Sequence, residues 1–181
     1  MIRDNYKIYK SGVILDSPVY AKEECNRATQ LFNRIYPDKN STYNHDSYNI
    51  FSLTSCNQFF YYLYKEINEV VRDFVGDDRP LWMAAWLNAQ SSKDVLDWHY
   101  HESQYHGYVV IDKHYGNNPI ITETTFNNWK IKNEIGNIYM GYCGFDHKVE
   151  VIKPYDGLRH TLAFQVTSEP TLSDNSYYPV L

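Results

Sequence analysis

Seven histidines occur in the 181-residue chain, and three of them fall between residues 99 and 106. His99 and His101 form a His-x-His pair at the end of a run, 95–100, whose composition predicts a strand. Because residues two apart on a strand share a face, both imidazoles are expected to point into one space. Two neutral imidazoles make half of a site for a divalent transition metal. The pair alone is a weak signal, because two partly exposed strand histidines would show the same spacing.

A second segment strengthens the metal interpretation. Residues 136–147 have the pattern of a strand, a glycine-bearing turn and then His147. Glycine permits the tight turn that would swing His147 inward. Arg159 follows twelve positions later and shares a predicted strand face with Thr161. A guanidinium fork beside a hydroxyl is suited to bind a carboxylate.

The order of these residues resembles that of the iron(II)/2-oxoglutarate-dependent oxygenases, whose fold is the double-stranded β-helix, a jelly-roll relative of the cupins. The most similar branch is a small group of phage and marine-bacterial hydroxylase-like proteins. In that branch a Trp-x-Asn strand precedes His-x-His and a glycine-bearing strand. The corresponding segments here are Trp86-Leu87-Asn88, His99-Tyr100-His101 and the run that starts at His106-Gly107. The resemblance covers about residues 82–166.

The resemblance implies the roles of individual residues. His99 and His147 would bind iron, and Arg159 with Thr161 would bind the distal carboxylate of 2-oxoglutarate. His101 stands where most of the superfamily has an aspartate or glutamate. We predict His99, His101 and His147 as the metal ligands.

A histidine at position 101 departs from the usual set of two histidines and one carboxylate. A third imidazole leaves an Fe(II) site one negative charge short, which should change its redox poise and its affinity for anionic cosubstrates. Glu102 is the alternative ligand, although a regular strand would point it away from the face of His101. Asp97 is a candidate acceptor that orients an imidazole. Three-histidine iron sites also occur in cupin-like dioxygenases that use no 2-oxoglutarate.

Other residues near the predicted site carry two interpretations each. Tyr108 and Tyr139 would assist carboxylate binding, as tyrosines commonly do in this superfamily, or would pack in the core. Asn88 would bind the cosubstrate or satisfy a backbone group. His106, close to where a metal cupin has its acidic ligand, is expected to be a strand-end histidine rather than a ligand. His160 is expected to be structural.

The elements that would position these residues divide the chain. Residues 1–80 are predicted to be a mostly helical support, 81–167 a β-helix core and 168–181 a loosely structured tail, within a single domain, 1–181. The first helix has an apolar face and ends before Pro37; the face comprises Cys25, Ala28, Phe32 and Ile35. The second helix begins in a Ser-x-x-Gln capping box at 55–58 and ends at Gly76; its stripe comprises Phe59, Leu63, Ile67, Val70 and Phe74.

Short alternating runs follow from Leu81 onward. The predicted strands are 82–88, 95–100, 106–112, 120–124, 129–131, 137–142, 149–152 and 161–167. Short strands separated by frequent turns predict a sandwich, jelly roll or barrel. The predicted class is therefore α+β, mainly β with N-terminal helices, and the predicted fold is a double-stranded β-helix.

Composition narrows the function classes. The chain has 17 Lys+Arg against 22 Asp+Glu, and this net charge of −5 argues against nucleic-acid binding. Three scattered cysteines argue against a disulfide framework. With no apolar signal core and no long apolar run, the expected location is the cytoplasm, of a host cell if the source is viral. Cys143 lacks an evident base partner and is expected to be an inert thiol.

These observations predict an Fe(II)- and 2-oxoglutarate-dependent dioxygenase that uses O2 to hydroxylate a small-molecule or peptidyl substrate. One alternative is a metal cupin with cosubstrate-free dioxygenase or isomerase chemistry, in which Arg159 binds the substrate. Another is a non-catalytic β-fold binding module. The substrate and the oligomeric state are open at this point, because pocket walls come from loops whose shapes one sequence does not reveal.

Overall fold

The computed structural model describes residues 5–35, 49–94, 96–112, 114–115, 118–119, 121–169 and 178–180. Over these residues the helices are α1 Gly12–Asp16, α2 Pro18–Ile35 and α3 Gln58–Val75, with a 3-10 helix at Ile50–Ser55. The strands are β1 Tyr6–Lys10, β2 Trp82–Gln90, β3 Leu96–His99, β4 Tyr105–Val110, β5 His114–Tyr115, β6 Asn118–Pro119, β7 Ile121–Phe126, β8 Lys130–Lys132, β9 Asn137–Tyr142, β10 His147–Lys153, β11 Arg159–Thr167 and β12 Tyr178–Pro179. Each strand predicted between residues 82 and 167 has a counterpart among them.

The strands form two main antiparallel sheets within the described ranges. The order in the larger sheet is β1-β9-β4-β11-β2-β12, the order in the smaller one is β3-β10-β7-β8, and β5 and β6 pair as a separate ribbon. Side chains from both main sheets line one cavity, which therefore lies between them. This arrangement confirms the predicted fold class, a mainly β jelly roll of the double-stranded β-helix type with supporting helices.

Strand β11 separates the core from the cavity. It pairs with β2 on one side and β4 on the other. Leu162, Phe164 and Val166 belong to the main hydrophobic core, whereas Arg159 and Thr161 line the cavity. This two-residue alternation is the side-chain period of a strand and confirms the predicted division of faces.

The helices pack on the core face of the larger sheet. Phe32 of α2 and Leu63 of α3 join the same core cluster as Leu162 of β11. Ile35, predicted on the apolar face of α2, is instead 55% exposed. The buried stripe of that helix therefore ends one turn earlier, at Phe32. No helix in the described part of the chain is both long and apolar enough to cross a bilayer.

The start of α3 differs from the prediction. Asn57 is the N-cap, and its side-chain oxygen accepts a hydrogen bond from the Phe60 N–H. Ser55 lies in the preceding 3-10 helix, so the predicted Ser-x-x-Gln capping box does not form. An asparagine next to the first helical residue is an equally good cap. The predicted end is confirmed, because Gly76 is the C-cap with a φ of 74°.

Two strands lie outside the predicted β-core. β1 lies within residues 1–80, which were predicted to be mostly helical, and pairs with β9 at one edge of the larger sheet. β12 lies within residues 168–181, which were predicted to be loosely structured, and pairs with β2 at the opposite edge of that sheet. Both segments gain their strand structure from a partner distant in sequence, which periodicity alone does not reveal.

Candidate metal and carboxylate site

Three histidine side chains bring their ligand atoms within 4.8 Å of one another: His99, His101 and His147. His99 ends β3, and His147 begins β10 directly opposite it in the ladder. His101 lies beyond the end of β3, so it reaches the cluster from a loop and not from the predicted strand face. Gly144, with a φ of 92°, makes the turn before His147 that the sequence predicts.

The backbone orients two of these imidazoles. The Nδ1 of His99 lies 2.8 Å from the carbonyl oxygen of Asp97, and the Nδ1 of His147 lies 3.2 Å from that of Phe145. A carbonyl accepts only from a protonated Nδ1, which leaves each Nε2 with a free lone pair for a metal. The orienting atom of Asp97 is therefore its main-chain oxygen, since its carboxylate accepts from the Trp98 N–H instead.

The third imidazole is oriented by a side chain of the opposite sheet. The Nδ1 of His101 lies 3.0 Å from the amide nitrogen of Gln165 on β11. For Nε2 of His101 to bind a metal, Nδ1 must carry the proton, and the amide must present its oxygen to it. Glu102, the alternative third ligand, is exposed and lies outside the cluster of donor atoms.

A fourth histidine lies directly beside this cluster. His106 on β4 is 3% exposed, with its ring centroid 4.9 Å from that of His147 and 5.1 Å from that of His101. Its Nε2 is 3.5 Å from the Tyr139 hydroxyl. His106 is therefore a buried neighbour of the site, whereas the sequence predicts an ordinary strand-end residue.

Burial keeps two imidazoles at this site, those of His147 and His106, uncharged at neutral pH. Burial, followed by the nearby His99, lowers the pKa of His147 to about 4. Burial, followed by His147, His101 and His99, lowers the pKa of His106 well below its usual value. The neutral imidazole of His147 therefore offers a lone pair to a metal at neutral pH without first losing a proton.

We expect the metal-free protein to lose stability as the pH falls from 6.5 toward 4. The pKa of His147 is 6.5 in the unfolded chain and about 4 in the folded one, so the unfolded chain binds more protons in this window. The free energy of unfolding is highest above pH 6.5, and the protonation of His147 in the unfolded chain alone lowers it by about 2 kcal/mol at about pH 5. His106 acts in the same direction. Urea unfolding of the metal-free protein across this range measures the effect.

The control is His147→Gln, which should flatten the same pH profile. Glu150 contributes little above pH 4.5: three hydrogen bonds, led by that from Thr125, lower its pKa to about 2, so its contribution to stability is lost only below pH 4.5. An unfolding free energy that stays constant down to about pH 5 would contradict the lowered pKa of His147.

A polar group of four side chains that could bind an anion, called the anchor below, lies on one face of the larger sheet, on two residue pairs separated by the His160–Ala89 pair. Arg159 pairs with Gln90 and Thr161 pairs with Asn88 between β11 and β2. Arg159 is 3% exposed, and its Nη1 donates a 2.8 Å hydrogen bond to the Gln90 side-chain oxygen. The Asn88 amide nitrogen lies 3.4 Å from the Thr161 hydroxyl, while its buried oxygen has no hydrogen-bond partner among the described residues. All four side chains line the cavity.

Gln90 was not among the site residues predicted from the sequence. The signal was present, because the alternation over residues 82–88 places position 90 on the cavity face as well. Among the described residues that line the cavity, Arg159 alone has a permanent positive charge. The cavity volume is about 630 Å³, large enough for a small dianion and a further molecule.

The two predicted tyrosines differ in position. Tyr108 lines the cavity and donates a 3.0 Å hydrogen bond to the Asn133 side-chain oxygen. Tyr139 is fully buried in an aromatic cluster with Phe126 and lies behind His106, not on the cavity wall. The core-packing interpretation therefore applies to Tyr139.

Two further residues behave as expected of structural groups. The His160 backbone N–H donates to the Asp112 carboxylate over 2.8 Å, and the fully buried ring lies on the opposite side of β11 from Arg159. Burial raises the pKa of Cys143 to about 11, so its thiol stays protonated and unreactive at neutral pH.

No protein-family model matches this sequence, and no curated protein matches it either. Solved structures are similar to it in fold. The epimerase SnoN, in complex with Fe3+, alpha ketoglutarate and nogalamycin RO, aligns with a TM-score of 0.53 at 10% identity, over 99% of this chain and 95% of that one. This alignment over almost the full length of both chains supports the fold assignment.

Two further solved structures align with this chain at lower TM-scores. An oxidoreductase of the 2OG-Fe(II) oxygenase family from Burkholderia pseudomallei aligns with a TM-score of 0.46 at 9% identity, over 56% of this chain and 52% of that chain. The described fold thus spans about half the length of that oxidoreductase. A cupin-2 domain protein from Shewanella frigidimarina aligns with a TM-score of 0.35 at 15% identity, over 60% and 98% of the two chains.

Proposed function

We propose that the protein is an Fe(II)- and 2-oxoglutarate-dependent oxygenase that hydroxylates a small-molecule or peptidyl substrate. The observation that carries the proposal is one cavity lined by both a cluster of three imidazoles and a buried guanidinium. The SnoN complex supports it, because a protein of the same fold binds Fe3+ and alpha ketoglutarate, which is 2-oxoglutarate.

The donor set fits a divalent transition metal. His99, His101 and His147 would hold the ion through Nε2, with the protonated Nδ1 atoms fixing the ring orientations. Imidazole nitrogens suit iron among other metals of this class. When bound, iron would supply the redox chemistry that couples O2 and the decarboxylation of 2-oxoglutarate to the oxidation of a substrate.

The anchor fits the distal carboxylate of 2-oxoglutarate. The Arg159 guanidinium would donate a pair of charge-assisted hydrogen bonds, and the Thr161 hydroxyl would add a further one. Gln90 holds the guanidinium in place through Nη1, and the Asn88 amide lies next to the Thr161 hydroxyl. Burial of Arg159 excludes water from this end of the cavity, which strengthens its attraction for an anion.

The charge balance also favours an anionic cosubstrate. Three neutral imidazoles leave the full double charge of a divalent metal uncompensated, whereas the usual carboxylate ligand would remove one unit. Together with Arg159, this end of the cavity is strongly positive inside a chain of net charge −5. A small dianion matches that end.

The three-imidazole set favours a second candidate function, a cupin-like dioxygenase that needs no 2-oxoglutarate. In that case Arg159 would bind an acidic substrate directly. Consumption of O2 by the iron-loaded protein and a carboxylate substrate, without added 2-oxoglutarate, would favour this alternative.

Anaerobic titration tests the main proposal. Addition of 2-oxoglutarate to the Fe(II)-loaded protein is expected to produce a weak visible charge-transfer band, because the keto acid chelates the iron. Glutarate, which lacks the keto oxygen, is the control and should produce no band. Intact iron binding without a band would refute the use of 2-oxoglutarate.

A further inference from the structure

The outer part of the same cavity has a different chemistry from its base. Tyr100 and Glu102 follow β3 and line the cavity on either side of His101 in sequence. Both are exposed, Tyr100 by 59%. Among the described residues that line the cavity, Glu102 has the one carboxylate. The wall of the cavity therefore carries a buried positive charge, on Arg159, and a solvent-accessible negative charge, on Glu102.

The carboxylate of Glu102 has no structural task in the described part of the chain. It lies outside the cluster of metal-donor atoms. No hydrogen bond or ion pair joins it to another described residue. Other acidic side chains of the smaller sheet are paired, as Glu150 is with Lys148 at 2.9 Å. An acidic group left unpaired on a cavity wall is available to a ligand.

The charges at the other end would already be compensated in the loaded site. The dianionic 2-oxoglutarate of the proposed function would neutralise the charge of Arg159 and part of that of the metal. One positive unit would remain at the metal, whereas the charge at the exposed part of the cavity, where a second ligand would enter, is the negative one of Glu102. The net charge of −5 of the whole chain adds to the attraction for a cation.

An aromatic ring accompanies this carboxylate. A cation over the face of a tyrosine or tryptophan ring is attracted by the ring electrons even at an exposed position. The same segment shows such a contact: the Lys148 ammonium lies 5.2 Å from the centroid of the Trp98 ring. Tyr100 is exposed, lies two positions before Glu102 in the sequence and lines the same cavity.

We propose that the substrate carries an ammonium or guanidinium group, as a lysine or arginine side chain does, and that Glu102 and Tyr100 bind this group at the cavity mouth. The proposal rests on the proposed function, because it assigns the second ligand of the same cavity. Glu102 thereby acts in substrate selection and not in metal binding.

Matched probes test the charge requirement. The protein is loaded with Zn(II) and 2-oxoglutarate, so that no turnover occurs, and dissociation constants are measured by NMR titration. The cationic probes are the Nα-acetyl amides of arginine and lysine, and the neutral ones are those of citrulline and norleucine. An exposed ion pair and a cation–π contact together predict a preference of about tenfold for the cations.

Single substitutions test whether Glu102 and Tyr100 are responsible for the preference for cationic probes. Glu102→Gln should lower the preference to about threefold without changing the affinity for the citrulline probe. Tyr100→Ala should lower it by about threefold. Glu134→Gln, which removes a carboxylate that does not line the cavity, is the control and should leave the preference unchanged.

The outcomes separate this proposal from the proposed function. Equal affinity for the charged and neutral probes, absence of cation binding, or a preference that survives Glu102→Gln would overturn the cation site. Binding of 2-oxoglutarate is measured on the same samples. Its absence would refute the proposed function, while a Glu102-dependent preference for cations would still stand.

Discussion

Replacement of Arg159 by alanine is expected to raise the dissociation constant for 2-oxoglutarate by about 100-fold. The guanidinium is buried, and its paired hydrogen bonds to a carboxylate would contribute about 3 kcal/mol, which equals that factor. Affinity for the metal should change by less than about threefold, because Arg159 is not among the clustered donor atoms. Calorimetric titration with the metal and then with 2-oxoglutarate measures both constants.

Arg159→Lys is the matched variant. It keeps the positive charge but loses the planar fork, so an intermediate loss of about tenfold is expected. A thermal melt of each variant separates a loss of binding from a loss of folding, since the substitution also leaves the Gln90 side-chain oxygen without its donor. Equal weakening of metal and 2-oxoglutarate binding, or no weakening of either, would show that the anchor is misassigned.

Replacement of His147 by alanine is expected to abolish stoichiometric metal binding, with a loss of affinity of about three orders of magnitude. A protein metal site contributes about 10–16 kcal/mol from about four donors, so each donor accounts for several kcal/mol. Metal content after dialysis and a cobalt(II) spectral titration measure the loss. A thermal melt of the metal-free variant separates a loss of metal binding from a loss of folding, because the His147 side chain is buried.

Two neighbouring variants identify the third ligand. His101→Asp should retain the metal, because a carboxylate is a suitable donor, and should weaken 2-oxoglutarate binding by about three- to tenfold through the lost positive charge. Glu102→Gln should leave metal affinity unchanged. A metal loss in Glu102→Gln together with normal binding in His101→Ala would reverse this assignment.

The parts of the fold that were predictable depend on local periodicity. The strand Asn137–Tyr142 has its predicted bounds, and the two faces of β11 divide as predicted. Both follow from alternation within a few residues, which a sequence displays directly. The short spacings and the glycine-bearing turn made the three clustered histidines candidates, and the resemblance to the oxygenases led to their prediction as one set of metal ligands.

The parts that were not predictable depend on register between distant strands. A shift in the β3–β10 pairing between His147 and Val149 lets Leu96 and His99 both line the cavity, although regular alternation would separate them. Because β3 ends at His99, His101 lies in the loop that follows the strand. The position of His106 beside the cluster likewise depends on β4 and β10 lying in facing sheets, which no local pattern encodes.

The unequal support of the three imidazoles has a consequence for how the site can evolve. The acceptors for His99 and His147 are main-chain oxygens, which no substitution of a neighbouring side chain removes. His101 instead depends on the Gln165 side chain across the cavity. Positions 101 and 165 should therefore change together in descendants of this chain, with the other two ligands held constant. In the proposed metal site, position 101 is therefore the ligand position that can be replaced most readily, and the side chain there would set the net charge of the metal centre.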